Sequence, residues 1–188
     1  QLGDTLPMVR IQEGNRSNCK QALDAGACGV IVPMIMDSNE LQNVINWCCW
    51  PPKGQRGVGF SRANLFGKYF DEYKDEAQSP LIIAQIEHID AVNNLDKILN
   101  VKGLDATIIG PYDISASLGF SGQLNHPEVL KVYDEILKKS KKYKIPTGIH
   151  IVHPDEKNLN IAIDDGYKFI AYSIDAIFLQ NSLQNPLK

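Results

Sequence analysis

Two apolar runs in this sequence each end in a carboxylate: Leu81-Ile82-Ile83-Ala84-Gln85-Ile86-Glu87 and Ala106-Thr107-Ile108-Ile109-Gly110-Pro111-Tyr112-Asp113. Strands buried on both faces of a parallel sheet read as continuous Val/Ile/Leu runs, and ligands of such sheets collect at the strands' carboxyl ends. Two strands of this kind aim two acidic groups at one place. A hydrophobic core has no use for a carboxylate there, whereas a hard divalent cation takes oxygen ligands. Glu87 and Asp113 are therefore candidate metal ligands. Side chains alternate along a strand, so Gln85 shares the face of Glu87. The plainer alternatives are a polar layer at the strand ends for Gln85 and Glu87, and a helix N-cap for Asp113. Gly110-Pro111 directly after a buried strand lets the backbone approach a ligand. Pro111 has no N–H, so Tyr112 and Asp113 would offer theirs to a substrate carboxylate.

Arg10 interrupts the apolar stretch Met8-Val9-Arg10-Ile11. A guanidinium is always charged and is not buried without a partner, so Arg10 either reaches the mouth of the sheet or pairs with an anion. A carboxylate or enolate suits it; Glu87 or Asp113 would be a structural partner. His150, in Gly148-Ile149-His150-Ile151-Val152-His153, lies at a strand's carboxyl end and is a candidate acid, base or aldehyde contact. His88 and His126 read as peripheral. Arg56-Gly57-Val58-Gly59-Phe60-Ser61-Arg62 lacks the third glycine of a dinucleotide loop and follows Pro51-Pro52 rather than a strand, so it reads as a structural loop, with a substrate cover as the alternative. None of the four cysteines forms a C-x-x-C pair, which favours buried, reduced thiols.

Strand and helix signals alternate throughout. Strands are expected over 8–11, 29–33, 81–87, 106–113, 147–152 and 169–173. Helices are expected from a Ser17 cap to Ala25 with a Gly26 stop, from an Asp37/Glu40 capping box to about Trp47, over 90–99, from Pro127 to a Lys-rich end at 138–144, over 155–164, and from about Asp175. Residues 115–125 read as a loop or short helical turn. Six βα units without linkers or low complexity favour a (β/α)8 barrel or an open doubly wound sheet as one α/β domain over 1–188.

Composition bounds the function. With 44% hydrophobic and 22% charged residues among 188, the chain can build one sizeable core. A net charge of −3 supplies no general basic field, so nucleic acid and anionic membranes are excluded as partners and small acids must be held locally. No apolar stretch reaches the ~20 residues of a membrane span, and the opening residues lack a secretory signal, so a cytoplasmic protein is expected. A start at Gln1 rather than Met points to a longer chain.

As a set, Pro7-Met8-Val9-Arg10, the stretch from Ala22 through Asp24-Ala25-Gly26-Ala27-Cys28-Gly29 to Met34, Arg56-Gly57-Val58-Gly59, Gln85-Ile86-Glu87, Gly110-Pro111-Tyr112-Asp113-Ile114-Ser115 and Asn125-His126-Pro127-Glu128 resemble the HpcH/HpaI aldolase family. These are the class II, metal-dependent pyruvate aldolases of the phosphoenolpyruvate/pyruvate superfamily. The resemblance runs in order through nearly the whole chain. It implies a (β/α)8 TIM barrel whose C-terminal helix is exchanged within a homo-oligomer, hexameric or dimer-based. It also implies reversible aldol cleavage of a 4-hydroxy-2-oxo acid to pyruvate and an aldehyde, of the 2-dehydro-3-deoxyglucarate or 4-hydroxy-2-oxoheptanedioate type. On this resemblance Glu87 and Asp113 bind Mg2+, Mn2+ or Co2+, Arg10 holds the developing enolate oxygen, Gln85 supports the site, and Gly110, Pro111, Tyr112 and Asp113 receive the pyruvate carboxylate.

Two departures from the family pattern stand out. The family's Asp-x-Glu-His segment, which carries the His linked to proton transfer, lies on the second strand, and this chain starts at what would be the third. Two βα units, about 60 residues, are thus expected to be absent from the N-terminus. His150 stands where many members have an aliphatic residue, so the resemblance assigns it no role. The alternatives are a citrate lyase β-type acyl-CoA lyase, which calls for a basic CoA surface that the sequence does not show, and a catalytically silent pyruvate-binding homologue.

Overall fold

The apolar runs become strands β1 (Met8–Arg10), β2 (Gly29–Val32), β3 (Leu81–Ile86), β4 (Ala106–Ile109), β5 (Thr147–Ile151) and β6 (Phe169–Tyr172), which pair in parallel in sequence order. The structure is a computed structural model and describes residues 4–183. The helices are α1 (Arg16–Asp24), α2 (Ser38–Cys48), α3 (Tyr73–Ala77), α4 (Ile89–Asn93), α5 (Leu95–Leu99), α6 (Pro111–Ser117), α7 (Pro127–Tyr143), α8 (Glu156–Asp165) and α9 (Asp175–Ser182).

Alternation along the strands separates two apolar layers. Val30, Val32, Ile82, Ala84, Ile86 and Ile109 face the helices and join Leu41, Leu95, Ile98 and Ile136 in the main core. Each fully buried Leu or Ile of this kind contributes about 1.5–3 kcal/mol, so most of the stability is built on this side. Ile83, Ala106 and Ile108 face the other way and cluster with Met8, Ile31, Phe169 and Ala171. That small cluster draws on strands from β1 to β6, which makes its face the concave side of a curled sheet. Thr107 and Thr147, buried on paired positions of β4 and β5, join their hydroxyls at 3.2 Å.

The sheet differs from a closed eight-stranded barrel. Among the described residues it has six strands, and β1 and β6 are its two edges, so it winds through only part of a barrel's circumference. No described helix is long and apolar enough to cross a membrane.

Several boundaries move for local reasons. Asn15, not Ser17, caps α1: its extended backbone lets its side chain accept from the Asn18 N–H at 2.9 Å, leaving Ser17 inside the helix. Asp37 caps α2 as expected, accepting from the N–H groups of Asn39 and Glu40 at 2.7 and 3.0 Å, but Glu40 reaches the Met36 N–H at 2.7 Å instead of returning to its cap. The 90–99 helix is split at Asn94, whose side-chain amide donates to the Met36 carbonyl at 3.0 Å. The strand expected to run to Asp113 stops at Ile109, and the turn placed at 115–125 begins earlier, as α6, because Pro111 is already set for the first helical position. A short 3-10 segment, Arg62–Gly67, and α3 occupy a stretch that gave no helical signal.

Candidate active site

The pleat sends Gln85 and Glu87 to the concave face, since Ile83 lies there and Ile82, Ala84 and Ile86 lie behind. Glu87 follows β3 and is only 2% exposed. Its Oε1 accepts from the Met34 N–H at 2.7 Å and its Oε2 from the Gln85 side-chain amide at 2.6 Å. Met34 can donate because its backbone is left-handed, at φ 53. Holding a non-glycine residue there costs on the order of 1–3 kcal/mol, strain of the kind found at functional sites. Asn94 steadies the same loop through Met36.

Gly110 fits against this pair. Its N–H donates to the Ile86 carbonyl at 3.1 Å, which carries the β3–β4 register one step past the strands and sets Gly110 beside Glu87. A Cβ on Gly110 would lie 2.9 Å from both Cβ and Oε2 of Glu87 and 3.1 Å from Nε2 of Gln85. The glycine therefore serves side-chain packing as well as a turn. It is also the N-cap residue of α6, so Asp113 sits in the first helical turn and is not the cap.

Burial is the main cause that pushes the Glu87 carboxyl above the usual carboxylate range. The Met34 N–H opposes the shift, the neighbouring Asp113 carboxyl adds to it, and Arg10 opposes it. Asp113 and Arg10 are thus both near enough to act on Glu87, and three charged groups from β1, β3 and the β4–α6 junction converge. Arg10 and Asp113 are exposed, whereas Glu87 is buried.

The donor set suits a divalent cation. A buried carboxylate held only by neutral donors, with a second carboxylate beside it, is a charge arrangement that a cation relieves. Among the described residues no group of three or more His, Cys, Asp or Glu side chains could hold a metal. Mg2+ is commonly bound in this way, by one or two carboxylates with water and substrate oxygens completing its shell.

His150 faces the same concave side, because its partner Ala171 packs on the inner cluster and its neighbours Ile149 and Ile151 pack on the helix side. His88 and His126 are helix caps, accepting through Nδ1 from the N–H groups of Asp90 and Glu128 at 3.1 and 3.3 Å. Arg56 is buried at 1% exposure with its guanidinium 5.7 and 5.8 Å from the Trp50 and Tyr73 ring centroids. It anchors its loop, in keeping with the structural reading. Met34 was not a candidate, and the left-handed turn after Pro33 that lets it donate had no signal beyond the end of an apolar run.

A curled six-stranded parallel α/β sheet with two carboxylates just beyond the ends of neighbouring strands is a barrel-like arrangement. The chain belongs to the HpcH/HpaI aldolase/citrate lyase family, whose model matches residues 2–182. It is 35% identical over 182 residues to a hydroxypyruvate/pyruvate aldolase of Roseobacter denitrificans, covering 95% of this chain and 70% of that protein. It is 33% identical over 183 residues to a 2-keto-3-deoxy-L-rhamnonate aldolase of Escherichia coli, covering 96% and 68%. The crystal structure of an HpcH/HpaI aldolase/citrate lyase family protein from Burkholderia cenocepacia superposes with a TM-score of 0.88 at 30% identity, over 94% of this chain and 70% of that one. Neither aldolase is named for the glucarate or heptanedioate substrates that the sequence resemblance implied.

Proposed function

We propose that the protein catalyses reversible cleavage of a 4-hydroxy-2-oxo acid to pyruvate and an aldehyde, with Mg2+, Mn2+ or Co2+ held by Glu87 and Asp113. The observation that carries this reading is the buried Glu87, fixed by Met34 and Gln85, beside Asp113 and within the field of Arg10. When bound, the cation supplies Lewis-acid polarisation of the 2-oxo group.

The chain's own residues do the rest. Gln85 holds Glu87 in place. Arg10 meets the negative charge that grows on the keto oxygen as the C3–C4 bond breaks, a term that raises kcat because it strengthens toward the transition state. The Tyr112 and Asp113 N–H groups lie in the first turn of α6, where a helix provides no acceptor for them, and are directed at the pyruvate carboxylate over Gly110 and Pro111. In the cleavage, the C4 hydroxyl proton leaves to a base, the C3–C4 electron pair stays on C3 as the enolate, and C3 then takes a proton to give pyruvate.

Two further βα units would close the sheet across its edges and bring the base. At the β1 edge Val9 is exposed and lines a cavity of about 950 Å³, shared with Arg10, Arg62 and Leu65, which supports that completion. Helix α9 buries none of its residues and leaves Phe178 and Leu179 exposed, which supports packing against another copy in a homo-oligomer. The absence of a disulfide among the four cysteines agrees with a cytoplasmic enzyme.

The test is pyruvate release from a panel of 4-hydroxy-2-oxo acids by the full-length protein. Chelation is expected to abolish release and Mg2+ or Mn2+ to restore it. Pyruvate binding without release from any member, with any of the three cations, refutes the lyase reading and leaves a silent homologue. Arg10→Ala is expected to lower kcat by about 10²-fold, as loss of an oxyanion donor does, with Mn2+ affinity nearly unchanged. Steady-state kinetics with a Mn2+ titration measure both, and an unchanged kcat removes Arg10 from the mechanism.

A further inference from the structure

The Met34 N–H meets Glu87 while Met34 stands in the left-handed region, at φ 53. That backbone is unfavourable for any residue with a Cβ. Burial of Met34 does not offset it, since the residue is 48% exposed. At negative φ the chain on one side of Met34 would swing relative to the other, and the N–H would leave Glu87 unless the residues after it moved. The turn is therefore held from outside.

The residues after it are fixed. Ile35 is 2% exposed in the main core. The Met36 N–H donates to Oε2 of Glu40 at 2.7 Å, and the Met36 carbonyl accepts from Nδ2 of Asn94 at 3.0 Å. The Glu40 bond is exposed and spans four residues, so water competes with it. The Asn94 bond is partly buried and comes from the unit that carries Glu87. Helix α4 starts directly after Glu87, with His88 as its cap, and Asn94 ends it. The β3–α4 unit thus grips the turn at both ends, through Glu87 at Met34 and through Asn94 at Met36. Asn94 leaves helical geometry, at φ −96 and ψ 5, yet the break is no loose end, because Leu95 and Ile98 just beyond it are fully buried.

We propose that Asn94 is a positioning residue for the cation site: its hydrogen bond to Met36 holds the left-handed turn, and the Met34 N–H so placed fixes the Glu87 carboxylate in the orientation that binds the cation. This rests on the aldolase reading of the same site, in which Glu87 is a ligand. Partners that orient a metal ligand typically change metal affinity or activity by about 10–100-fold when removed.

The experiment uses the full-length protein with Asn94→Ala, Met34→Gly and the two combined. In the cation-free parent the Met34 amide proton, donating to a carboxylate, should resonate downfield and exchange slowly. Asn94→Ala should move it upfield, speed its exchange and weaken Mn2+ binding by about 10-fold. Glycine takes positive φ without strain, so Met34→Gly frees the turn from its dependence on Asn94. In that background Asn94→Ala should change Mn2+ affinity by no more than about twofold, the scatter expected of independent sites. A role for Asn94 confined to the α4–α5 break would be indifferent to residue 34.

Equal losses in the two backgrounds, or an unchanged Met34 amide in Asn94→Ala, overturn the proposal even where the aldolase reading holds. Asn94→Asp keeps the shape of the side chain and removes the donor, so its Met34 amide reports the same bond should Asn94→Ala fail to fold. A parent that binds no Mn2+ overturns the proposal and the reading together. The expected amide shift and Mn2+ rescue in a protein that releases no pyruvate support the positioning and refute the reaction.

Discussion

Glu87→Gln is expected to lower kcat/KM for pyruvate release by at least about 10³-fold without lowering the thermal midpoint of the metal-free protein. The two effects share one cause. Glu87 is 2% exposed and its carboxyl is pushed above the usual range, chiefly by burial. A folded-state pKa above the unfolded one contributes stability that is fully present below the unfolded pKa and is lost as pH rises through the folded value. At neutral pH the ionised parent therefore carries a burial cost that the amide lacks. The replacement fits: its carbonyl can keep the Met34 N–H, and an amide turn at Gln85 presents an oxygen to the new NH2 group.

The cation reverses the order. Mn2+ should raise the parent's midpoint more at pH 7 than at pH 5, because the carboxylate form binds it, and should leave Glu87→Gln almost unmoved. Thermal unfolding at both pH values, with and without Mn2+, measures this beside the pyruvate assay. Retained turnover in the variant would remove Glu87 from the site, and a lower neutral-pH midpoint for metal-free Glu87→Gln would show that Glu87 is structural.

The charged part of this site was legible in the sequence because charge is conspicuous in an apolar run. Glu87 and Asp113 each stand at the end of such a run and Arg10 interrupts one, and period-2 alternation was enough to set Gln85 on the face of Glu87. What holds them was not legible. The Met34 donor is a backbone N–H, which every residue but proline has, and only the left-handed turn at φ 53 makes it available. Cap positions slipped for a related reason: Asn15 and Ser17 are both good caps, and the choice depends on where the chain stops being extended. The strand count was legible, since each strand reads as an apolar block and the central ones, β2 to β4, bury most of both faces. The segment from Arg56 to Ala77 was not, because Arg56 is packed between aromatic rings and Leu65 and Phe66 have positive φ, neither of which leaves a periodic trace.

Gly110→Ala is expected to lower turnover by about 10²-fold or more, on the scale of a misplacement of about 1 Å in a catalytic group, and to destabilise the fold by about 1–3 kcal/mol as overpacking does. The backbone is not the obstacle: Gly110 sits at φ −94 and ψ 94, which alanine can adopt. On backbone grounds alone, Gly→Ala at a compatible site stabilises by about 0.4–1 kcal/mol through the unfolded chain. Sterics decide the sign here. The added methyl would meet Glu87 Cβ and Oε2 at 2.9 Å, and the Glu87 side chain is held at both oxygens, so either β3 and β4 separate or Glu87 leaves Met34 and Gln85. Both outcomes shift the carboxylate relative to Asp113 and Arg10. Gly59 supplies the control, because a Cβ there meets nothing within 4 Å, so Gly59→Ala should be neutral or slightly stabilising and fully active. Denaturant unfolding of the two variants, together with Mn2+ affinity and kcat, separates a displaced carboxylate from a general loss of fold: the first weakens Mn2+ binding while the unfolding transition stays cooperative. A Gly110→Ala enzyme with parental turnover and Mn2+ affinity would mean that the Gln85–Glu87 pair does not need its observed position.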